Sequence, residues 1–395
     1  MKKFFFVIGY CWLVAGSYGQ DVSQRLQKAY QLFDADSQLK HAVSSLYVID
    51  AKTGAIVFDK NAQVGLAPAS TQKIITSVTA FELLGKDYRY KTQFLFGFQN
   101  GMYVQGNGDP TFGSWRYHQT TDTVIFKSVI ESFRKKGKTK LEKFVIRDNE
   151  SSKNVPSGWI YEDIGNYYGA APKNLNWHEN QFDITFLPGK TEGEIAEIDT
   201  TITITPYGVK QLINHCKTGR PGSGDNAYVY FLPGEWKSVI EGTVPAGVKK
   251  FTIAAANNSP YLTFGMSFLS HPLIKSIFPG DPQDIHTIFP GSPIYSSKMD
   301  TIYIHYSPSL DSIIYWFNKR SINLYGEALI KTFAYEKQGF GSTDSGVAIV
   351  KRFWKEKGLD DEELNIYDGS GLSPLNRVTT HAQVEILKYA KSRDW

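Results

Sequence analysis

Cysteine is nearly missing from this 395-residue chain, which has only Cys11 and Cys216. Cys11 falls in an N-terminal segment read below as cleaved. The one thiol left cannot form an internal bridge, so a disulfide scaffold is excluded. Cys216 reads as a free, buried thiol. An excess of one charge is also lacking: 43 basic and 39 acidic residues leave a formal net charge of +4. The basic residues are dispersed, which argues against a nucleic-acid partner. The densest basic run, FRKKGKTKLEK (133–143), reads as a solvated helix end and loop. No hydrophobic run after the N-terminus is long enough for a spanning helix, so none is expected in the mature chain. The histidines are scattered and no His-Glu-x-x-His occurs, which disfavours a zinc hydrolase. GNGDP (106–110) lacks the lysine and spacing of a phosphate loop and reads as a tight turn. Asp109, Glu162, Asp163 and Glu327 form no evident pair of catalytic carboxylates. No internal repeat or low-complexity segment is visible.

What is present starts with MKKFFFVIGYCWLVAGSYGQ. Two lysines, an apolar stretch and small residues have the layout of a secretory signal peptide. Cleavage is expected after Gly19, which would remove 1–19 and deliver the protein to the periplasm. The full chain is 42% hydrophobic and 14% aromatic, a globular composition with length for two or three domains. Residues 22–41 look helical. SSLYVID and AIVFDKN flank a glycine turn and read as a β-hairpin. Ile74, Ile75, Val78, Phe81 and Leu84 mark the apolar face of a helix starting near Ser70 and stopping at Gly85. From about 95 to 300, β-rich runs (KTQFLFGF, KFVIRD, DITFLP, TITITPY) alternate with turns. There TDTVIFKSVIESFRKKG is the clearest helix. Helical periodicity returns at 309–337, 343–358 and in the last stretch, with Thr379 or Thr380 as its cap.

Ser70 and Lys73 stand three residues apart at the mouth of an apolar helix, hence on one face. A serine hydroxyl becomes a nucleophile when a base takes its proton. A lysine serves as that base when burial lowers its pKa. The spacing is cheap, because Ser37/Lys40 and Ser132/Lys135 share it, and an N-cap with a surface lysine is the bland reading. A second pair, Ser321 and Asn323, opens another helical pattern, although Ser152/Asn154 matches it too. Ser-x-x-Lys followed by Ser-x-Asn is the signature of serine β-lactamases and penicillin-binding proteins.

With GNGDPTF (106–112), VPSGWIYEDIGNYYGAAPKNLNWHENQF (155–182), SINLYGEALIK (321–331) and DGSGLSPLNRVTT (368–380), the chain resembles the D-alanyl-D-alanine carboxypeptidase/endopeptidase family of penicillin-binding proteins. This is the group with a large insertion between its first two motifs. The resemblance runs from about residue 25 to the last. It implies an α+β fold: a β-lactamase/transpeptidase-like domain, a helical cluster on an antiparallel sheet, made from 20–95 and 300–395. Residues 96–299 would be an inserted, mainly-β region. It implies a serine D,D-peptidase that hydrolyses D-Ala-D-Ala termini or D,D cross-links of peptidoglycan. Ser70 would be the nucleophile, Lys73 its base, Ser321 the proton relay and Asn323 the substrate-binding amide. Stem peptides would be its partners and β-lactams its covalent inhibitors, with no cofactor and no metal. DGSGLS (368–373) reads as a structural loop near the site.

The third family motif, Lys-Thr-Gly, does not follow Asn323. Lys52-Thr53-Gly54 reads as a hairpin turn and Lys217-Thr218-Gly219 as a loop. The sequence therefore reads as C-terminally incomplete, and this chain is expected to fold poorly and turn over slowly or not at all. The alternative is a catalytically inactive wall-binding protein of the same fold.

Overall fold

The computed structural model describes residues 22–147, 155–201, 211–232, 237–281, 285–288 and 298–395. The expected signal peptide, the Ser152/Asn154 pair and all of TITITPY but its first residue lie outside them. The chain forms two compact units.

One unit comprises Met1–Pro68, Lys351–Asn365 and Arg377–Asp394. Helix α1, described over 22–34, precedes strands β1 (Leu46–Ile49) and β2 (Ile56–Lys60), which pair antiparallel as the two flanks of a glycine turn predict. Their turn is set by the Asp50 carboxylate. It accepts from the Lys52 and Thr53 amides (2.9 and 2.7 Å) and the Thr53 hydroxyl (2.9 Å). Lys52-Thr53-Gly54 is thus the expected hairpin turn. The last helix of the chain, Thr380–Lys391, is capped by Thr379, whose hydroxyl accepts from the Ala382 amide at 2.9 Å.

The other unit comprises Ala69–Val350, Ile366–Asn376 and Trp395. Helix α2 (Lys73–Leu84) is entered through a 3-10 turn, Ala69–Gln72, and ends at Gly85, whose φ is positive (80°). Then follow β3 (Lys91–Gly97), β4 (Gly101–Gly106), α3 (Asp122–Lys135), β5 (Lys143–Arg147) and the short α4 (Tyr161–Ile164). Next come β6 (Gln181–Leu187), β7 (Glu197–Ile198), β8 (Gln211–Asn214), β9 (Lys217–Gly219), β10 (Asn226–Tyr230), β11 (Lys237–Pro245) and β12 (Phe251–Ala256). Helices α5 (Pro260–Ser270) and α6 (Pro272–Lys275), strands β13 (Ile285–Ile288) and β14 (Asp300–Tyr306), and helices α7 (Leu310–Arg320) and α8 (Asn323–Gln338) complete the part that carries the motifs.

Five strands form one sheet in the order β13-β5-β4-β3-β14. Alternate residues of its strands point to one face. Phe94, Phe96, Met102, Val104, Phe144, Ile146 and Ile302 pack there under α3 and α5. From α3 come Ile125, Phe126, Val129, Ile130 and Phe133, at helical spacing, and from α5 Phe264 and Phe268. The period-2 and period-3.6 patterns thus bury the same core. A second core joins two smaller sheets. Ile184, Phe186, Ile253 and Ala255 of β6 and β12 meet Val229, Ile240 and Val244 of β10 and β11.

Two expectations need correction. Lys217-Thr218-Gly219 is not a loop but strand β9, parallel to Thr243–Pro245 of β11. Its Thr218 is buried and accepts the Gly189 amide at 2.7 Å; ladder pairing overrides the turn-like composition around it. The helical stretch at 309–337 is two helices, broken at Ser321, which adopts a left-handed conformation (φ 54°). Cys216 is, as expected, a buried free thiol, and burial pushes it up to about 11.

Candidate active site

Ser70 lies inside the 3-10 turn, and the α-helix proper starts at Lys73. Ala69 before it is left-handed (φ 46°), which costs an alanine about 1–2 kcal/mol. The neighbouring loop holds it there. Gly371 (φ 86°) packs so closely that a Cβ would stand 1.8 Å from the Ala69 carbonyl oxygen, so only glycine fits.

The sequence-predicted residues converge. Lys73 Nζ stands 3.1 Å from Ser70 Oγ, and the Ser321 hydroxyl donates to Ser70 Oγ at 2.8 Å. Lys73 also donates to Asn323 Oδ1 (2.7 Å) and to the Ser370 carbonyl (2.8 Å). The Asn323 amide nitrogen donates to the Tyr168 carbonyl at 2.8 Å, which turns its oxygen toward Lys73. The break at Ser321 makes this possible: a continuous helix could not put Ser321 and Asn323 on one corner. Ser37/Lys40 and Ser132/Lys135 do not enter the site. The latter pair lies at the far end of α3.

Lys73 is 2% exposed, and burial pulls its ammonium down to about 8, although the Glu327 and Asp368 carboxylates oppose the shift. Its direct partners are all neutral. A neutral amine has two N–H donors and one lone pair. It can donate to Asn323 and Ser370 and keep the lone pair for the Ser70 proton.

DGSGLS is more than a neighbouring loop. Its Asp368 carboxylate, fully buried, accepts from Gln72 Nε2 (3.0 Å), Trp159 Nε1 (3.0 Å), Asn376 Nδ2 (2.9 Å) and the Gly371 and Ser373 amides (2.9 and 2.6 Å). Glu327 on α8 accepts the Ser370 amide at 2.8 Å and the Gly369 amide at 3.1 Å. Thr76 on α2 donates to the Gly369 carbonyl at 2.7 Å. The loop is thereby clamped between two helices, and its Ser370 carbonyl is aimed at Lys73. Burial, with the Asp368 charge adding to it, raises Glu327 to about 8.

A cavity of about 560 Å³ opens over Ser70, Ser321 and Asn323, with Tyr167, Tyr168 and Arg116 on its wall. That volume suits a small ligand. Among the described residues no group of three or more His, Cys, Asp or Glu is placed to hold a metal, and no helix is long and apolar enough to cross a membrane. Sequence reasoning missed Asp368, Glu327, Tyr168 and Arg116. The glycines of DGSG and a lone Glu in LYGEALI were the signals available for the first two.

A family model described as the D-Ala-D-Ala carboxypeptidase 3 (S13) family matches residues 26–395. The D-alanyl-D-alanine carboxypeptidase of Actinomadura sp. (strain R39) is 26% identical over 373 residues, covering 91% of this chain and 66% of that protein. The D-alanyl-D-alanine carboxypeptidase DacB of Haemophilus influenzae is 24% identical over 356 residues, covering 86% and 69%. The chain thus spans about two thirds of the length of these curated relatives. Among solved structures, penicillin binding protein 4 (DacB) of Haemophilus influenzae matches with a TM-score of 0.70 at 20% identity, over 88% of this chain and 74% of that one. The expected α+β fold with its inserted elements is therefore present. With the family match covering nearly the whole sequence, this chain belongs to the D-Ala-D-Ala carboxypeptidase 3 (S13) family.

Proposed function

We propose that the chain is a serine D,D-peptidase that cleaves D-Ala-D-Ala termini or D,D cross-links of peptidoglycan through an acyl-enzyme on Ser70. The observation that carries this reading is the Lys73 amine, 3.1 Å from Ser70 Oγ and bonded otherwise only to neutral oxygens. In this reading Lys73 takes the Ser70 proton while Oγ attacks the peptide carbonyl carbon. The positive potential at the start of α2 favours the negative charge that develops there. Ser321, 2.8 Å from Ser70 Oγ, carries the proton from Lys73 to the leaving amine as the C–N bond breaks. Asn323 holds the substrate amide. A water molecule then gives a proton to Lys73 and its oxygen to the acyl carbon, and Lys73 passes that proton to Ser70 Oγ as the ester C–O bond breaks, which frees Ser70. β-Lactams would acylate the same oxygen.

The domain division belongs to the same proposal: a catalytic domain of 20–95 and 300–395, with 96–299 inserted. It is supported by β3 and β14, antiparallel neighbours with Lys91 opposite Tyr306. The chain therefore leaves for the insertion and returns from it at adjacent strands, as inserted domains do. An N-terminal export signal and a periplasmic location are part of the reading too.

The test is a β-lactam adduct mapped by tandem mass spectrometry, with Ser70→Ala as control. The adduct is expected on Ser70 and lost in the variant. An adduct that survives in Ser70→Ala would remove Ser70 as the nucleophile. The alternative reading, a wall-binding protein of the same fold without turnover, predicts no adduct at all.

A further inference from the structure

Strand β10 has two unlike faces. Ala227 and Val229 point into the core that joins the smaller sheets. Tyr228 and Tyr230, at the alternate positions, therefore point out of it. Tyr161, the first residue of α4, joins them. Tyr228 is 42% exposed and Tyr161 47%. The three rings stand in a row. Tyr161 lies 5.4 Å from Tyr230 with its plane turned by 32°, and Tyr228 lies 6.5 Å from Tyr230, turned by 38°. Neither pair is edge-on, so ring surface is offered along one strip.

Polar groups border the strip. Glu241 of β11 stands directly opposite Tyr228 in the ladder. Its side chain is 60% exposed, with His215 Nδ1 4.0 Å away. Burial, and then the charges of Glu241 and Glu162, raise the Tyr230 phenol above its ordinary value. Both carboxylates are thus within electrostatic reach of the row. Lys237 is the one cation on the two strands.

This chemistry selects among occupants. A protein partner favours a patch whose centre is depleted of charge, whereas here a carboxylate faces the middle of the strand. Two carboxylates against one lysine repel a polyanion. An uncharged ligand with apolar C–H faces and many hydroxyl and amide groups satisfies every feature. Its faces lie on the rings, and its polar groups meet the carboxylates and the phenol tips. Sugar rings bearing acetamido groups are such a ligand. The strip also continues toward Ser70, because the chain runs from Tyr161 through α4 directly to Tyr167 on the cavity wall.

We propose that Tyr161, Tyr228 and Tyr230 form a binding site for an N-acetylated glycan chain. The proposal rests on the peptidase reading for the source of that chain, the polysaccharide that carries the peptides presented to Ser70. The site holds the polymer and takes no part in the chemistry at Ser70.

The experiment measures equilibrium binding of chitohexaose, a chain of linked N-acetylglucosamine rings without peptide, by calorimetry to the full chain. Saturable binding is expected. The double variant Tyr228→Ala, Tyr230→Ala should weaken it by about 10-fold, two rings at roughly 3-fold each. Replacing both by Phe keeps the rings and should retain most of the affinity. Thermal melts show which variants are folded. If the double alanine variant does not fold, Tyr161→Ala decides, with a loss of about 3-fold expected. No binding to the parent protein, or an affinity unchanged by the alanine variants, would overturn the proposal. So would self-association in sedimentation that the double variant abolishes, in a protein that does not bind chitohexaose, since a second copy would then cover the face. The peptidase reading fails by a different result, an adduct that persists without Ser70.

Discussion

At Lys73 the amine has three oxygen neighbours, and none carries a charge. An ammonium in that place lacks a direct counter-ion, which is why burial outweighs the two carboxylates behind the loop. Glu327 is the mirror case. It is a buried acid whose hydrogen-bond partners are backbone amides and no cation, and its proton is retained well above the usual carboxylate range, to about 8. A folded-state pKa raised above the ordinary 4.5 means the native state binds more protons than the unfolded chain between those two values. The contribution of Glu327 to stability is therefore full below pH 4.5 and is lost as pH rises through about 8. Glu327→Gln should remove this loss. Urea midpoints from pH 5 to 8 should fall less steeply in the variant, with a difference on the order of a few kcal/mol. Parallel curves for the two proteins would contradict the assignment.

Among elements, the segment that runs from α4 to Ala171 does most to set the Ser-x-Asn corner. Asn166 is buried. Its side-chain nitrogen donates to the Glu162 carbonyl (2.6 Å) and its oxygen accepts the Val229 amide of β10 (3.1 Å). Two residues on, the Tyr168 carbonyl holds Asn323. Strand β10 is thus tied through Asn166 to the segment that holds Asn323. Asn166→Ala would leave the Val229 amide unpaired in a buried place, a cost of about 1–3 kcal/mol. A lowered melting temperature is expected, together with slower β-lactam acylation because Asn323 loses its orientation. An unchanged acylation rate in a destabilised Asn166→Ala protein would show that the segment is structural only.

At the scale of the whole molecule, the motif-bearing unit depends on a core unusually rich in aromatic rings. Trp177 is fully buried there, stacked on Phe126 at 5.7 Å and edge-on to Phe264 at 4.9 Å. Trp177→Ala should cost about 3–5 kcal/mol, a large share of the stability of an ordinary domain. Because Trp177 leads directly into the left-handed run at Glu179, β-lactam labelling should fall along with the denaturation midpoint. A midpoint within experimental error of the wild type would mean the site can collapse around the loss. Much of this architecture is legible in the residues. β-Rich runs mark β3 (KTQFLFGF) and β5 (KFVIRD), the 3.6 spacing marks α3, and Thr379 announces its helix. Ser70, Lys73, Ser321 and Asn323 are legible because their chemistry resides in side chains. Tyr168 and Ser370 are not, since they act through carbonyl oxygens that every residue has. Asp368 and Glu327 look like surface carboxylates until the loop closes over them. β9 hides in a stretch whose composition suits a turn, and the left-handed backbone at Ser321 is not legible, although the pair with Asn323 reads as the opening of a helical pattern.

The central claim is that a neutral Lys73 takes the proton of Ser70. The most direct test is the second-order rate constant of β-lactam acylation between pH 6 and 10. It should rise along a single limb with a midpoint near the Lys73 value of about 8 and level off above it. A rate independent of pH over this range, or a midpoint at the ordinary lysine value of 10.5, would contradict it.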